Sequence, residues 1–175
     1  PIFAAAEEQG LADKAHWTGP ASLYNLDFPR AVGAYWNGKV TVDMELKAAD
    51  AGTPDMKNWL AVMDQYGSKT DPRDTFSQAG YLAARVTAET LLKMDPTKID
   101  RKAVTAALRA VKRFDSDIFC SPWYIGDGPR HNANHAGPVA LVKDGKLLPK
   151  PECIQDEDPE LDDVLDYEKT IGLSK

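Results

Sequence analysis

No stretch of the sequence approaches the ~18 uncharged apolar residues that a membrane-spanning helix requires, so no transmembrane segment is expected. No basic stretch leads into an apolar run with a small-residue cleavage site, so no export signal is legible within the 175 residues. A glycine-rich phosphate loop, a GxSxG elbow and an HExxH pair are all missing. No cofactor is therefore expected, and nucleotide, serine-hydrolase and zinc-protease chemistry have no signature. RNP and zinc-finger patterns are absent too, and no nucleic-acid partner is expected. Histidine is scarce. His131 and His135 are four apart, but they sit in PRHNANHAGP, where glycine and proline argue against the helix that would offer both to one metal. A loop bonding its own backbone is the expectation there, with no metal site. Ser121 precedes Pro122-Trp123 with no identifiable base, so no catalytic residue is assigned and no enzyme is expected.

Cysteine is limited to Cys120 and Cys153, 33 positions apart. They lack CxxC spacing, which argues against zinc or thioredoxin-like redox chemistry. Two buried thiols and a disulfide both remain open; a bridge would stabilise by roughly 3–4 kcal/mol in the loop-entropy account. Net charge is −6, but nine of the 27 acidic residues fall between Glu152 and Glu168, a segment without Lys or Arg. Outside it, 18 acidic residues face 21 basic ones, so the body carries no basic field. That acidic segment is expected to be a solvated surface. Asp156, Asp158, Asp162 and Asp163 lack the central glycine and ligand spacing of an EF-hand loop.

Along the chain, residues up to Gly10 read as the tail of a helix with a glycine C-cap, which implies that an N-terminal portion precedes them. Lys14–Thr18 reads as a strand, Ala21–Asp27 as a polar loop, and Phe28–Trp36 as a short helix. Val40, Val42 and Met44 alternate with polar residues as in a half-buried strand. Thr53-Pro54 opens a helix running to Tyr66. Asp74–Met94 reads as an amphipathic helix with Phe76, Ala79, Ala83, Val86 and Thr90 along its stripe, capped from Asp71 or Thr75. Arg101–Arg113 follows, opened by Asp100 and closed by Lys112 and Arg113. Phe119–Ile125 reads as a strand, and Asp144-Gly145 joins Pro138–Lys143 to Lys146–Leu148 in a hairpin. The class is α/β with a mixed sheet. With no catalytic set, binding chemistry remains: Ser22, Tyr24 and Asn25 lie beyond a strand end, and Phe76, Gln78 and Tyr81 stand at a helix start.

The order of pieces carries a resemblance. A helix ending AAEEQGL leads to a strand and GPASLYN, then AVGAYW, DQYGSKTDP, TFSQAGYLAARVTAETLL and DRKAVTAALRAVKRFDS, and finally PRHNANHAGPVALVKDGKLLP. Over nearly its whole length the chain resembles the C-terminal half of a type I periplasmic solute-binding protein, of the branched-chain amino-acid receptor family of ABC importers. That resemblance implies two α/β lobes that close like a hinge around a small ligand. Residues 1–46 would belong to lobe two and residues 47–115 to lobe one. Residues 116–150 would return to lobe two, and 151–175 would be the acidic C-terminal segment. The chain would cross between lobes near Glu45–Ala51 and Phe114–Ser121. Position for position, Ser22, Tyr24, Asn25 and Phe76 would touch ligand, with Tyr81 beside them. Asp27 is the one candidate acid near this loop for a ligand ammonium, a departure from the family's pattern; with Trp17, Tyr24, Tyr35 and Trp36 nearby, an aromatic or other small carboxylate competes with an aliphatic amino acid. The resemblance further implies a periplasmic location, a membrane ABC permease as partner, and the N-terminal half of the same protein as a second partner. An oxidising compartment and a Cys120–Cys153 bridge would support one another. The same fold in a ligand sensor, or an α/β enzyme whose catalytic residues lie outside this sequence, are the alternatives.

Overall fold

Helix and strand alternate at the start of the chain, three consecutive α-helices follow, and a hairpin and a short helix close it. The computed structural model describes residues 2–25, 27–49, 51–126, 136–155 and 159–173; His131, His135, Asp156 and Asp158 lie outside them. Helix α1 (Ile2–Glu8) ends at Gly10, whose φ of 63° lets Leu11 N reach Ala6 O at 2.9 Å. Strands β1 (Trp17–Gly19) and β2 (Val40–Asp43) pair in parallel, with α2 (Phe28–Val32) between them. Three helices follow: α3 (Pro54–Tyr66), α4 (Thr75–Leu92) and α5 (Arg101–Arg109). Strands β3 (Ala136–Lys143) and β4 (Lys146–Gln155) form an antiparallel hairpin. Its turn has positive φ at both Asp144 (51°) and Gly145 (69°), as a two-residue hairpin favours. Helix α6 (Asp162–Thr170) closes the described chain. The sheet order is β1-β2-β3-β4, with β2 and β3 antiparallel, so the expected mixed α/β class is what forms.

Two large apolar clusters hold these elements, with a small third one of Met44, Ala48 and Ala140 where the chain leaves the sheet. One lies on the sheet, where Trp36, Val40, Val42 and Val142 are wholly buried. Phe3 and Trp17 meet Trp36 edge-to-face at 4.9 and 5.0 Å, a geometry that aromatic quadrupoles favour. The other joins α3 to α4 through Met56, Trp59, Leu82 and Val86, with Leu46, Phe114, Ile118 and Phe119.

Several local expectations are corrected. The first strand is Trp17–Gly19 rather than Lys14–Thr18. Gly33, at a φ of 84°, cannot continue a right-handed helix, so Phe28–Trp36 splits into α2 and a 3-10 turn over Ala34–Trp36. Helix α4 is capped by Asp74, not Asp71 or Thr75. Asp74 Oδ1 accepts from Ser77 N at 3.0 Å while Ser77 Oγ accepts from Asp74 N at 3.1 Å. Its inward face is Thr75, Gln78, Leu82, Val86 and Thr90, so the stripe is rotated and Ala83 is exposed. Asp100 caps α5 as expected, its Oδ1 accepting from Ala103 N at 2.7 Å, but the helix stops at Arg109. Arg113 lies beyond it and pairs with Asp115 at 2.8 Å. Phe119–Ile125 is not a strand. Ile118 and Phe119 are buried side by side, Pro122 brings no N–H, and only one bridge forms, Phe114 opposite Trp123. The second hairpin strand runs to Gln155, well past Leu148. The acidic segment is not wholly solvated: α6 buries Val164 and Glu168, and Tyr124 O–H donates to Glu168 Oε1 at 3.2 Å. Burial, with the Glu168 charge beside it, pushes the Tyr124 phenol above its ordinary value.

Cys120 and Cys153 are joined in a disulfide, Cα to Cα 5.8 Å, which ties the segment before Pro122 to β4. Reduction, or paired substitution of both cysteines by serine, is expected to lower unfolding free energy by about 3–4 kcal/mol. Denaturant titration with and without reductant checks this; coincident curves would show that the bridge adds nothing.

Candidate functional site

After β2 the chain leaves the sheet, and it comes back towards it along residues 114–121. These two passages run side by side. Lys47 N donates to Ile118 O at 2.9 Å, and the Lys47 ammonium donates to Asp117 O at 3.0 Å. At the sheet end, Met44 N donates to Pro138 O at 2.9 Å. From the helical side, Gln78 Nε2 donates to Lys47 O at 3.2 Å and contacts Met56 Sδ. Gln78 is wholly buried, and its Oε1 has no partner among the described residues. From the sheet side, Ala49 N donates to the Tyr24 hydroxyl at 2.9 Å. The passage over 44–49 is thus held from both clusters at once.

A charged network fixes the other end of the passages. Arg85 Nη1 donates to Asp55 Oδ2 at 2.6 Å and its Nε to Glu89 Oε1 at 2.8 Å. Ser116 Oγ donates to the same Asp55 oxygen at 2.7 Å. Both Asp117 oxygens accept from Asp55 N at 3.2 Å, so a residue 62 positions away supplies the acceptor at the start of α3. The Arg85 guanidinium also lies 5.2 Å from the Phe114 ring centre. Burial raises the Asp55 pKa, but the Ser116 hydroxyl and the Arg85 charge outweigh it and hold the carboxyl below its ordinary value of 3.8. An open groove of about 450 Å³ runs along these residues, with Asp55, Ser116, Asp117, Phe119, Cys120 and Ser121 among its lining. Its acids are already engaged by Arg85, Arg113 and the α3 backbone.

The residues singled out in the sequence fall into two groups. Gly19 ends β1 against Leu23, which leaves no room for a Cβ (Leu23 Cδ1 would lie 2.7 Å away). Beyond it, Leu23 N donates to Pro20 O and Tyr24 N to Ala21 O, both at 2.9 Å, which closes Ala21–Leu23 into a 3-10 turn. Tyr24 binds Ala49 N, and Asn25 Oδ1 accepts from Asp27 N at 3.0 Å and Phe28 N at 2.8 Å, closing the entry to α2. Ser22 and Asp27 are exposed. On α4, Phe76 is 66% exposed in the first turn. Tyr81 is half-buried and packs on the helical cluster, where burial raises its pKa despite Arg85 nearby. The connector over 44–49 therefore links the loop to the start of α4 through Tyr24 and Gln78, while Tyr81 faces the Asp55–Arg85 side. The bonding roles of Lys47 and Asp117 escaped the sequence reading, because each depends on a partner about 60 to 70 residues away. Gln78 had a signal: it begins the four-residue series Gln78, Leu82, Val86, Thr90. Among the described residues no group of three His, Cys, Asp or Glu side chains is placed to hold a metal. No helix among them is long and apolar enough to cross a membrane.

The chain is thus α/β, with two hydrogen-bonded passages joining its sheet to its helical layer. The sequence profile of the periplasmic binding protein family matches residues 1–146, and the chain belongs to that family. No curated protein matches it. Among solved structures, an ABC transporter substrate-binding protein from Aeropyrum pernix matches with a TM-score of 0.77 at 15% identity, over 93% of this chain and 42% of its own. A possible leucine/isoleucine/valine-binding protein from Rhodopirellula baltica matches at 0.68 and 17%, over 85% and 38%. A fatty acid ABC transporter substrate-binding protein from Thermomonospora curvata matches at 0.68 and 20%, over 89% and 40%. The chain thus spans about two fifths of the length of these proteins.

The lowered Asp55 pKa fixes the sign of an acid dependence. Its contribution to stability is present above the unfolded value of 3.8 and is lost as pH falls through the depressed folded value. Asp55→Asn is expected to flatten that limb in a pH series of denaturation midpoints. Arg85→Ala is expected to cost about 1–2 kcal/mol at neutral pH, since it removes a charged hydrogen-bond donor from a partly buried carboxylate.

Proposed function

We propose that this chain is part of a two-lobed extracytoplasmic receptor that captures a small organic carboxylate, an amino acid or an aromatic or aliphatic acid, and delivers it to a membrane ABC permease. The observation that carries the reading is the pair of hydrogen-bonded passages between the apolar cluster on the sheet and that of the helical layer, in a chain of the periplasmic binding protein family. Residues 1–46 and 116–150 form one lobe and residues 47–115 the helices of the other; the acidic segment 151–175 belongs with the first, since its start completes β4 and α6 packs on Tyr124. Closure about the passages 45–51 and 114–121 brings ligand contacts on both lobes together, so ligand shifts the population towards the closed form. The protein performs no chemistry on its ligand.

The loop residues Ser22, Tyr24 and Asn25 meet the ligand from one lobe and Phe76 meets it from the other, with Tyr81 behind. Three features support this placement. Ser22 is exposed, Asn25 Nδ2 is unused among the described residues, and Phe76 is an exposed aromatic at a helix start. An aromatic ring left in water is the kind of anchor that ligand burial recruits. The ligand classes named for the similar structures, leucine, isoleucine or valine in one and fatty acid in another, share a carboxylate. The rest of the receptor polypeptide supplies the remaining contacts.

Calorimetric titration of the complete receptor with L-leucine, L-phenylalanine, benzoate and a medium-chain fatty acid tests the reading. One of these is expected to bind stoichiometrically without being consumed; turnover of any of them would sink it. Phe76→Ala is expected to weaken binding about tenfold or more, through loss of roughly 1.5–3 kcal/mol of apolar burial, with the thermal midpoint unchanged. Unchanged affinity would remove Phe76 from the ligand site.

A further inference from the structure

Among the residues that α4 turns inward, Thr75, Gln78, Leu82, Val86 and Thr90, Gln78 is the long polar one. It is wholly buried, and so is Met56 beside it. Its amide brings two hydrogens and one oxygen to be satisfied. Nε2 donates to Lys47 O at 3.2 Å and lies 3.1 Å from Met56 Sδ, a weak acceptor. Oε1 has no partner among the described residues. Turning the amide over would set its oxygen against the Lys47 carbonyl, so the orientation follows from the bond. An acceptor shut away from water without a donor is a net cost to the fold. Methionine or leucine at this position would continue the apolar series of Leu82 and Val86 with no polar atom to satisfy. Packing therefore does not account for a glutamine here, and a buried group left partly unmet calls for another explanation.

The partner of that amide supplies one. Lys47 is where the outgoing passage meets the returning one, through Ile118 O and Asp117 O. Gln78 grips the carbonyl of this residue from a helix whose first turn exposes Phe76, two positions earlier. Two positions further along the connector, Ala49 N is bonded to the Tyr24 hydroxyl, in the loop beyond β1. Among the described residues, Gln78 is the one side chain of α4 that hydrogen-bonds to the connector over 44–49. We propose that Gln78 is a positioning residue of the hinge: its amide fixes α4, and with it Phe76, to the passages about which the lobes close. The bond to Lys47 O is what the glutamine is kept for, and the orphaned Oε1 is what that bond costs. This rests on the receptor reading above. With the bond in place, movement of the passages and of the aromatic at the start of α4 is one movement; without it, ligand has to order the two separately, which weakens binding.

Gln78→Met exchanges one buried orphan, Oε1, for another, the Lys47 carbonyl, at similar volume. In the complete receptor its thermal midpoint is therefore expected to stay within about 3 °C of the unsubstituted protein. Amide hydrogen exchange at Lys47 and Ala49 is expected to speed up about tenfold or more, while amides of β2 and β3 keep their rates. Affinity for whichever of L-leucine, L-phenylalanine, benzoate and octanoate the unsubstituted receptor binds is expected to fall about tenfold. Gln78→Leu is expected to behave in the same way. A residue that only packs would give the opposite split, so a midpoint lowered by about 10 °C or more in both variants would overturn the proposal. Unchanged exchange at Lys47 and Ala49 would overturn it too, as would faster exchange with unchanged affinity, because the connector would then move without the ligand site. Exchange needs no ligand, so failure of this proposal is distinct from failure of the receptor reading, which shows as no binding of any of the four acids by the unsubstituted protein.

Discussion

Lys47 is the residue through which the two passages of the chain are joined. Its backbone N–H donates to Ile118 O, its ammonium donates to Asp117 O, and its carbonyl accepts from Gln78. Two of these bonds, one from the backbone and one from the side chain, reach the returning passage, and one reaches into the helical layer. Asp117 in turn accepts from the first N–H of α3, and Asp55 at that position holds Arg85 and Ser116. A chain of polar contacts thus runs from the connector after β2 to the middle of α4. In a partly buried setting such a chain favours one arrangement, because breaking any link leaves a desolvated group without a partner. The passages therefore behave as a defined pair of struts between two cores, the property a hinge needs.

The two cores differ in how complete they are. On the sheet side, Trp36, Val40, Val42 and Val142 are fully enclosed by α1, α2 and the hairpin. On the helical side, Met56, Trp59 and Leu82 are enclosed, yet the outer arc of α4 remains uncharged and open. The same helix that carries an exposed aromatic at its start carries glycine and alanine beyond it. The disulfide secures the incoming passage to β4, so the crossing segment is held covalently on the sheet side and by hydrogen bonds on the helical side.

Most elements were legible because their signals are local. The alternation at Val40–Asp43, the Asp144-Gly145 turn, the proline-opened α3 and the Asp100 cap each depend on neighbours within a few residues. The failures share a cause. Phe119–Ile125 has the composition of a strand, but Ile118, Phe119 and Trp123 are used to fill the helical core, with Phe119 and Trp123 stacked at 4.2 Å, and tertiary packing overrode propensity. The stripe of α4 was rotated because Phe76 drew the apolar face towards itself, whereas Gln78 and Thr90 are buried polar residues satisfied in part by long-range or local carbonyls. The loop over Ala21–Asp27 was singled out by its position beyond β1, yet within the chain Tyr24 and Asn25 hold the connector and α2. Sequence alone does not distinguish such internal duty from ligand contact.

The central claim is hinge closure of a receptor around a small carboxylate. Small-angle X-ray scattering of the complete receptor, with and without a saturating concentration of whichever test acid it binds, measures that motion directly. The account predicts a smaller radius of gyration in the liganded protein. An unchanged radius with ligand demonstrably bound would contradict it.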